Sequence, residues 1–354
     1  MYRALIRPVL FLFSPETIHH LLMAILRFMF RIPGLHRLVS SCYHINHPLL
    51  QTEVMGMHFS NPVGLAAGFD KNASHYRELY AFGFSFIEVG TVTPLGQPGN
   101  KRPRSFRIPE DHGLINRMGF NNRGAESAAV ELRRRRPKGL ILGGNIGKNT
   151  LTPNEKAADD YEAVFRALYQ GVDYFVVNVS CPNISDLHKL QDQEALENIL
   201  GRLLRVRQEM SPRKPVLLKI SPDLNEKQLD ETLSIVSRLK LDGIVATNTT
   251  ITRKGLRTSP ERIKAIGKGG MSGAPITGRS LEVVRYIHQN TSGKLPIIAV
   301  GGIMSVNDAL NMFEAGASLI QVYTGFIYKG PGLVRRINKA LLRRKKQLDA
   351  SVQG

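Results

Sequence analysis

Eight short apolar runs, each followed by a stretch of helical spacing, constrain the fold of this chain more than any other feature. The runs start at Val63, Phe86, Leu140, Tyr174, Val216, Gly243, Pro296 and Leu319. Helical patterns lie near residues 72–82, 123–135, 155–170, 192–210, 225–239, 279–290, 305–315 and 331–347. Runs with no polar alternate are buried on both faces, which indicates a parallel sheet covered by helices. Eight strand–helix units predict an α/β fold of one kind, a closed (β/α)8 or TIM barrel. An open doubly wound sheet has fewer strands and opens on a glycine-rich nucleotide turn.

Polar residues collect at the C-terminal end of every run. They are Asp70 and Lys71, Thr91, Asn145, then Asn178 with Ser180 and Cys181, then Lys219, and Thr247 to Thr249. Gly301-Gly302 ends the seventh run and Tyr323-Thr324-Gly325 the eighth. Active sites of such barrels occupy this face. The glycine pair, with Gly269 to Gly273 as a second flexible glycine loop, suits a phosphate approached by backbone N–H groups. Lys219 interrupts an apolar strand, and a buried ammonium needs an anion. That anion is a phosphate or a heterocycle that becomes negative on reduction, unless the lysine head reaches rim solvent. Asn116, Asn178, Asn183 and Asn248 each offer donor and acceptor, matching a planar heterocycle with alternating C=O and N–H groups; singly, each also suits a turn. Cys181 suits a general base, a nucleophile or a redox group, or mere packing. Lys71 and Lys219 at neighbouring strand ends favour a lowered thiol pKa. No His, Cys and carboxylate grouping has metal-ligand spacing, so no metal is expected.

The 354 residues carry 48 Lys+Arg against 29 Asp+Glu, a formal charge of +19, and 42% hydrophobic residues exclude compositional disorder. Two cysteines, Cys42 and Cys181, exclude a disulfide scaffold and a cysteine-rich metal site. No apolar stretch approaches the roughly 20 residues of a membrane span. Ser14-Pro15-Glu16 breaks any secretory-signal pattern. The charge points to nucleic acid or to an anionic membrane surface. Residues 1–48 hold five arginines against Glu16, and residues 331–354 hold seven basic residues against Asp349. The run Arg133 to Arg136 reads as a solvated helix end. Two amphipathic helices are predicted near 2–12 and 15–30, the second capped by Ser14 with Pro15 at its first position. Leu21, Leu22, Ile25, Leu26, Met29 and Phe30 form its stripe. Such a hairpin suits a membrane interface or the protein's own body, and the sequence leaves both open.

Ten motifs, met in order, carry a family resemblance. They are Asn61-Pro-Val-Gly-Leu-Ala-Ala-Gly-Phe-Asp-Lys71, Glu88-Val-Gly-Thr-Val-Thr-Pro94, Gln97-Pro-Gly-Asn-Lys-Arg-Pro-Arg104, Asn116-Arg-Met-Gly-Phe-Asn-Asn122 and Asn145-Ile-Gly-Lys-Asn149. The later ones are Asn178-Val-Ser-Cys-Pro-Asn183, Ala246-Thr-Asn-Thr-Thr250, Gly269-Gly-Met-Ser-Gly273, Val300-Gly-Gly-Ile303 and Tyr323-Thr-Gly-Phe-Ile-Tyr-Lys-Gly-Pro331. Over nearly its whole length the chain resembles dihydroorotate dehydrogenases, specifically the quinone-linked, membrane-associated class 2 enzymes. Phe13-Ser-Pro-Glu-Thr-Ile-His19 is similar to the extension that class 1 enzymes lack.

The resemblance implies one FMN per subunit and oxidation of dihydroorotate to orotate in pyrimidine synthesis, with electrons passed to a membrane quinone. Ala67, Gly68, Phe69, Asp70, Lys71, Thr91, Asn145, Asn178, Lys219, Thr247, Gly273, Gly302, Tyr323 and Thr324 match FMN positions. Lys71, Asn116, Arg117, Met118, Gly119, Phe120, Asn178, Asn183, Asn248 and Thr249 match substrate positions, with Lys71 and Arg117 as cationic partners for the carboxylate. Cys181 stands at the base that takes the C5 proton, and Lys219 offsets negative charge on the reduced flavin. His19 and Arg107 match a quinone path through the N-terminal hairpin. The implied division is 1–48 as extension and 49–354 as FMN-binding barrel. A monomer on the cytoplasmic face of the cell membrane is expected, with no nucleic-acid partner.

Two departures stand out. Where this chain has Cys181, class 2 enzymes usually carry serine and class 1 enzymes cysteine. After Asn183 the chain reads Ile184-Ser-Asp-Leu-His-Lys-Leu190, with Asp186 in place of a glycine and His188 in place of an arginine. The competing readings are a class 1-like oxidase using fumarate or NAD, favoured by Cys181 alone, and a flavin-dependent tRNA reductase. A basic nucleic-acid-binding protein leaves the strand-end residues unexplained.

Overall fold

A computed structural model of the chain describes residues 2–180 and 193–353. Eight parallel strands close on themselves: β1 (Val63–Leu65), β2 (Phe86–Val92), β3 (Ile141–Ile146), β4 (Tyr174–Asn178), β5 (Val216–Ile220), β6 (Gly243–Ala246), β7 (Ile297–Val300) and β8 (Leu319–Val322). Each pairs with its neighbours in sequence, and β8 returns to β1 through Val322 opposite Leu65. This is the expected TIM barrel.

Side-chain alternation along the strands sorts the core into two layers. Ile87, Leu142, Phe175, Leu218, Ile244 and Ile320 point outward to the helices. Phe86, Ile141, Tyr174, Leu217, Ile298 and Leu319 point inward near the strand starts, where they meet Val54 and Phe59. The latter two come from a hairpin, Thr52–Val54 with Met57–Phe59, that closes this end. Glycines make room for the large inward rings. A Cβ on Gly64 would lie 2.4 Å from the Phe86 ring, and one on Gly143 would lie 2.3 Å from Tyr174. One inward step higher the residues become polar: Glu88, Asn145, Lys219 and Gln321, all buried. The barrel is therefore an apolar plug at its N-terminal end and a polar layer beneath its C-terminal face.

The helices fall where the spacing predicts, from Ala125–Leu132 to the long C-terminal Gly332–Gln353. Asn225 opens Glu226–Arg238 with a reciprocal capping box, its side chain accepting from the Gln228 N–H at 2.9 Å. The N-terminal segment holds one helix more than expected. After a π-helical turn, Tyr2–Ile6, come α1 (Arg7–Phe11), α2 (Pro15–Met29) and α3 (Leu35–Tyr43). Ser14 caps α2 as predicted, accepting from the Thr17 N–H at 3.2 Å.

Helix α2 packs part of its stripe on the protein's own body and leaves part exposed. Ile18 and Met23 are buried, and Leu22 and Leu26 pack on the core. Leu21, Ile25, Phe28 and Met29 are exposed. Among the described residues no helix is long and apolar enough to cross a membrane.

One expectation is corrected. Gly269 to Gly273 is not a flexible loop, because Gly270–Gly273 is a strand. It pairs antiparallel with Gly113–Asn116, which in turn pairs with Ser105–Ile108. The resulting three-stranded sheet stands over the C-terminal face of the barrel.

Candidate active site

Above the polar layer lies a cavity of about 650 Å³. Its floor is built from strand ends tied by hydrogen bonds. Thr91 Oγ1 donates to Asn145 Oδ1 at 2.5 Å, and Asn178 Nδ2 donates to Thr91 Oγ1 at 3.0 Å. Asn248 Nδ2 reaches Asn178 Oδ1 at 3.2 Å and Ser180 Oγ at 3.0 Å. Ser180 Oγ donates to the Lys219 carbonyl at 2.9 Å. Five strand ends thus share one network, which fixes where each amide points.

Gly302 and Thr324 border the cavity after β7 and β8, with Gly273 beside them. Gly302 has φ +75°, and a Cβ there would lie 2.3 Å from Thr277 Cα, so only glycine fits. Lys219 is 5% exposed, and its ammonium lies 3.9 Å from Glu88 Oε1. Toward its far end the cavity turns apolar. Phe69 and Tyr323 meet edge to face at 5.4 Å, and Leu10, Phe11, Leu22, Leu26 and Met29 of the N-terminal helices form the wall. One space therefore runs from a polar, glycine-rimmed floor to an apolar mouth between α1 and α2.

Residues 49–344 match the family Dihydroorotate dehydrogenase. The chain belongs to the dihydroorotate dehydrogenase family. A relative from Christiangramia forsetii named dihydroorotate dehydrogenase (quinone) is 49% identical over 344 residues, covering 97% of this chain and 99% of its own. One of the same name from Thermosynechococcus vestitus is 46% identical, covering 96% of each chain. Among solved structures, the Eimeria tenella enzyme in complex with ferulenol superposes with a TM-score of 0.85 at 34% identity, covering 95% of this chain and 93% of its own. The ligand-free type from the same organism gives 0.80 at 34% identity, covering 88% and 94%.

Within this dihydroorotate dehydrogenase fold, most of the residues expected from the sequence line the one cavity. They are Ala67 to Lys71, Thr91, Asn178, Lys219, Thr247, Gly273, Gly302, Tyr323 and Thr324, with Asn116, Met118 to Phe120, Asn248 and Thr249. His19 and Arg107 line its apolar part. Asn145 lies one layer beneath the floor, its amide held by Thr91, Asn178 and Glu88. Asp70 folds the turn below Lys71 by accepting from the Ser74 and His75 N–H groups at 2.9 and 2.8 Å. Burial pushes its carboxyl up, and these amides pull against that. Lys71 Nζ donates to Asn121 Oδ1 at 2.7 Å.

Arg117 points elsewhere. Its guanidinium binds the carbonyls of Ile266, Lys268 and Pro103 and stacks on Phe106 at 4.6 Å, so it braces the three-stranded sheet. It is not among the cavity residues, unlike Lys71. Cys181, Asn183 and the altered segment 184–190 lie outside the described residues.

His19 meets Phe69 edge to face at 5.0 Å. Burial, then its cationic neighbours His20, Lys71 and His75, lowers its pKa to about 4 against a backbone hydrogen bond at Phe69. It stands in the wall as neutral imidazole. Arg107 Nη1 donates to the Phe13 carbonyl at 2.6 Å, and its guanidinium covers the Phe11 ring at 4.4 Å. Burial lowers its pKa.

Sequence reasoning missed Glu88 and Gln321. Glu88 is fully buried and accepts from Asn145 Nδ2 and Gln321 Nε2, both at 2.6 Å. The signal was present: Glu88 and Lys219 are the lone charges of two otherwise uncharged inner strands. Opposite charges that cannot reach water predict one another.

Proposed function

We propose that the chain is a quinone-linked dihydroorotate dehydrogenase of pyrimidine biosynthesis, with FMN at the barrel mouth and a membrane quinone reaching it between α1 and α2. The observation that carries this reading is the continuity of one cavity from a hydrogen-bonding floor to an apolar entrance. A class 1-like oxidase, whose acceptor is soluble, has no use for the apolar half. A tRNA reductase has no use for it either.

The donor set fits FMN. The cavity has the size of a cofactor site. Gly302, Gly273 and Thr324 stand where barrels of this kind hold a phosphate. Asn178, Thr247 and Lys219 offer amide, hydroxyl and ammonium groups to a ring system. When bound, FMN takes a hydride from dihydroorotate and passes two electrons on to the quinone.

The protein's own groups do the rest. Asn116, Asn178, Asn183 and Asn248 pair with the C=O and N–H edges of the pyrimidine, and Lys71 meets the carboxylate. Cys181 follows Ser180 at the end of β4 and removes the C5 proton as thiolate, more readily available near neutrality than an unassisted hydroxyl. Lys219 holds positive charge under the ring. Residues 1–48 serve as the quinone-access extension to the FMN-binding barrel of residues 49–354. They dock the monomer peripherally on an anionic membrane surface at the cytoplasmic face.

The test is optical. Purified protein is expected to be yellow, to bleach anaerobically with dihydroorotate, and to recolour with a soluble ubiquinone analogue. Turnover with fumarate but not with the quinone analogue refutes the acceptor assignment. A colourless protein indifferent to dihydroorotate refutes the whole reading.

A further inference from the structure

Glu88 is the most deeply buried charge of the site, and the reaction as described gives it no task. It sits on β2, inward-facing, one step above the apolar plug, and is 0% exposed. Both oxygens are engaged: Oε1 accepts from Asn145 Nδ2 and Oε2 from Gln321 Nε2, each at 2.6 Å. A carboxyl accepting from two amides on opposite oxygens is fixed in orientation. The Lys219 ammonium lies 3.9 Å from Oε1, with its side chain 7% exposed. No described residue accepts a hydrogen bond from that ammonium, and Lys219 borders the cavity. The layer beneath the floor therefore carries one positive and one negative charge, the positive one uppermost.

Two opposite charges in this arrangement act on a third with partly cancelling strength, the nearer one prevailing. Lys219 alone would pull hard on any negative charge arriving above it, because a buried charge is weakly screened. With Glu88 fixed below, the field at the floor is that of a dipole, smaller and directed. We propose that Glu88 is a positioning residue that sets the reduction potential of the bound flavin. It holds the Lys219 ammonium at the floor and offsets part of its charge, so the cofactor remains a strong enough reductant to deliver electrons onward. This rests on the reading that the cavity holds FMN.

The neighbouring groups make the test clean. Gln321 Oε1 is buried with no hydrogen-bond partner. In Glu88→Gln a turned Gln321 amide can accept from the new NH2, so the change removes charge with little change of shape. Among the described residues the Tyr174 phenol also faces this layer, and burial, reinforced by Glu88, pushes it well above its ordinary range.

The experiment compares wild type and Glu88→Gln as purified holoproteins, by spectroelectrochemical titration of the flavin from pH 6 to pH 9. Loss of the negative charge is expected to favour reduction at least tenfold at pH 6, which is about +30 mV for a two-electron couple. A midpoint within about a third of that shift of the wild-type value at every pH, or one lowered throughout, overturns the proposal. A structural role for Glu88 alone leaves the potential unmoved. If Glu88→Gln does not accumulate as folded protein, the same charge is removed in a Lys219→Gln background, where no buried partner is stranded, and the double variant is expected to titrate at least about 30 mV above Lys219→Gln alone. Equal midpoints for the single Lys219→Gln and the double variant also overturn the proposal. Wild-type protein that binds no FMN refutes the underlying reading instead, so the two failures are distinguishable.

Discussion

Glu16 fastens the helix that walls the apolar end of the cavity, and neutralising it tests whether that wall must be held. Its carboxylate, 12% exposed, accepts from Arg104 Nε at 3.2 Å and Arg104 Nη2 at 2.7 Å, and from Arg102 Nη2 at 3.1 Å. Arg104 also donates to the carbonyls of Pro98 and Asn100 at 2.6 and 2.9 Å. Asn100 in turn binds the Met118 carbonyl through its N–H at 3.1 Å and the Arg117 carbonyl through Nδ2 at 2.9 Å. A single polar cluster thus joins α2 to the substrate-side segment 116–120. Burial pushes the Glu16 carboxyl up, but its hydrogen bond to Arg104 and the charges of Arg104, Arg102 and Lys71 outweigh that and hold it below the ordinary range.

In Glu16→Gln the shape stays and the charge goes. Breaking a buried pair from one side costs about 3–5 kcal/mol. The helix end is partly wet, so the low end applies, about 3 kcal/mol or roughly 150-fold in a local opening equilibrium. Hydrogen exchange along α2 is expected to quicken by that factor while the barrel strands keep their protection. The KM for a long-chain quinone rises, and anaerobic flavin reduction by dihydroorotate keeps its rate. A carboxyl whose folded pKa is lowered stabilises above its unfolded value near 4.5 and loses that contribution as pH falls through the folded value. Wild type therefore frays at α2 as pH falls through the lowered folded pKa of Glu16, in a step that the glutamine variant lacks. Unaltered exchange in α2 together with an unaltered quinone KM refutes the clamp.

Three further outcomes follow from the site. His19, with its pKa lowered from 6.5 to about 4, is protonated first in the unfolded chain as pH falls below 6.5; the fold is expected to lose about 2 kcal/mol between pH 7 and pH 5. Urea titrations at both pH values check this, and an equal loss in His19→Leu removes His19 as its source. Cys181→Ser is expected to slow flavin reduction at neutral pH at least tenfold and to move the rising limb of its pH–rate profile to higher pH. The same limb and the same rate sink the assignment of Cys181 as base. Gly302→Ala places a Cβ 2.3 Å from Thr277 Cα at φ +75°, so flavin content and melting temperature should both drop. Full flavin loading in that variant refutes the glycine requirement.

The sequence made the barrel legible because a strand buried on both faces has few alternatives. Runs such as Tyr174 to Val179 have no polar face to give to solvent, and eight of them leave closure as the solution. The strand-end residues were legible for the same reason, since Lys219 and Asn178 have no other way to reach a polar space. What stayed hidden is long-range. The three-stranded sheet joins Ser105–Ile108 and Gly113–Asn116 to Gly270–Gly273, segments of only four residues each, the last far from the first two in the chain. Nothing local in Gly269 to Gly273 distinguishes a strand from a loop. Arg117 was misplaced on the same account, because the carbonyls that bind it exist as a cluster only once that sheet has formed. Glu88 was overlooked although the anion sought for Lys219 was the chain's own.

The distribution of charge and apolar surface decides how such a molecule can meet a bilayer. Among the described residues, eleven of the sixteen large hydrophobic side chains that stay exposed lie between Leu5 and Leu38. Arg27, Arg31 and Arg37 are exposed among them. The C-terminal helix carries more positive charge, but it runs from Gly332, beside the end of β8, to the opposite pole. There Lys345, Leu348 and Asp349 lie against Pro48, Leu49 and Gln51, just before the hairpin that plugs the N-terminal end of the barrel. A surface touching Leu21, Ile25 and Phe28 meets Arg27 on the same helix. The proposed docking therefore combines apolar insertion with a few N-terminal arginines.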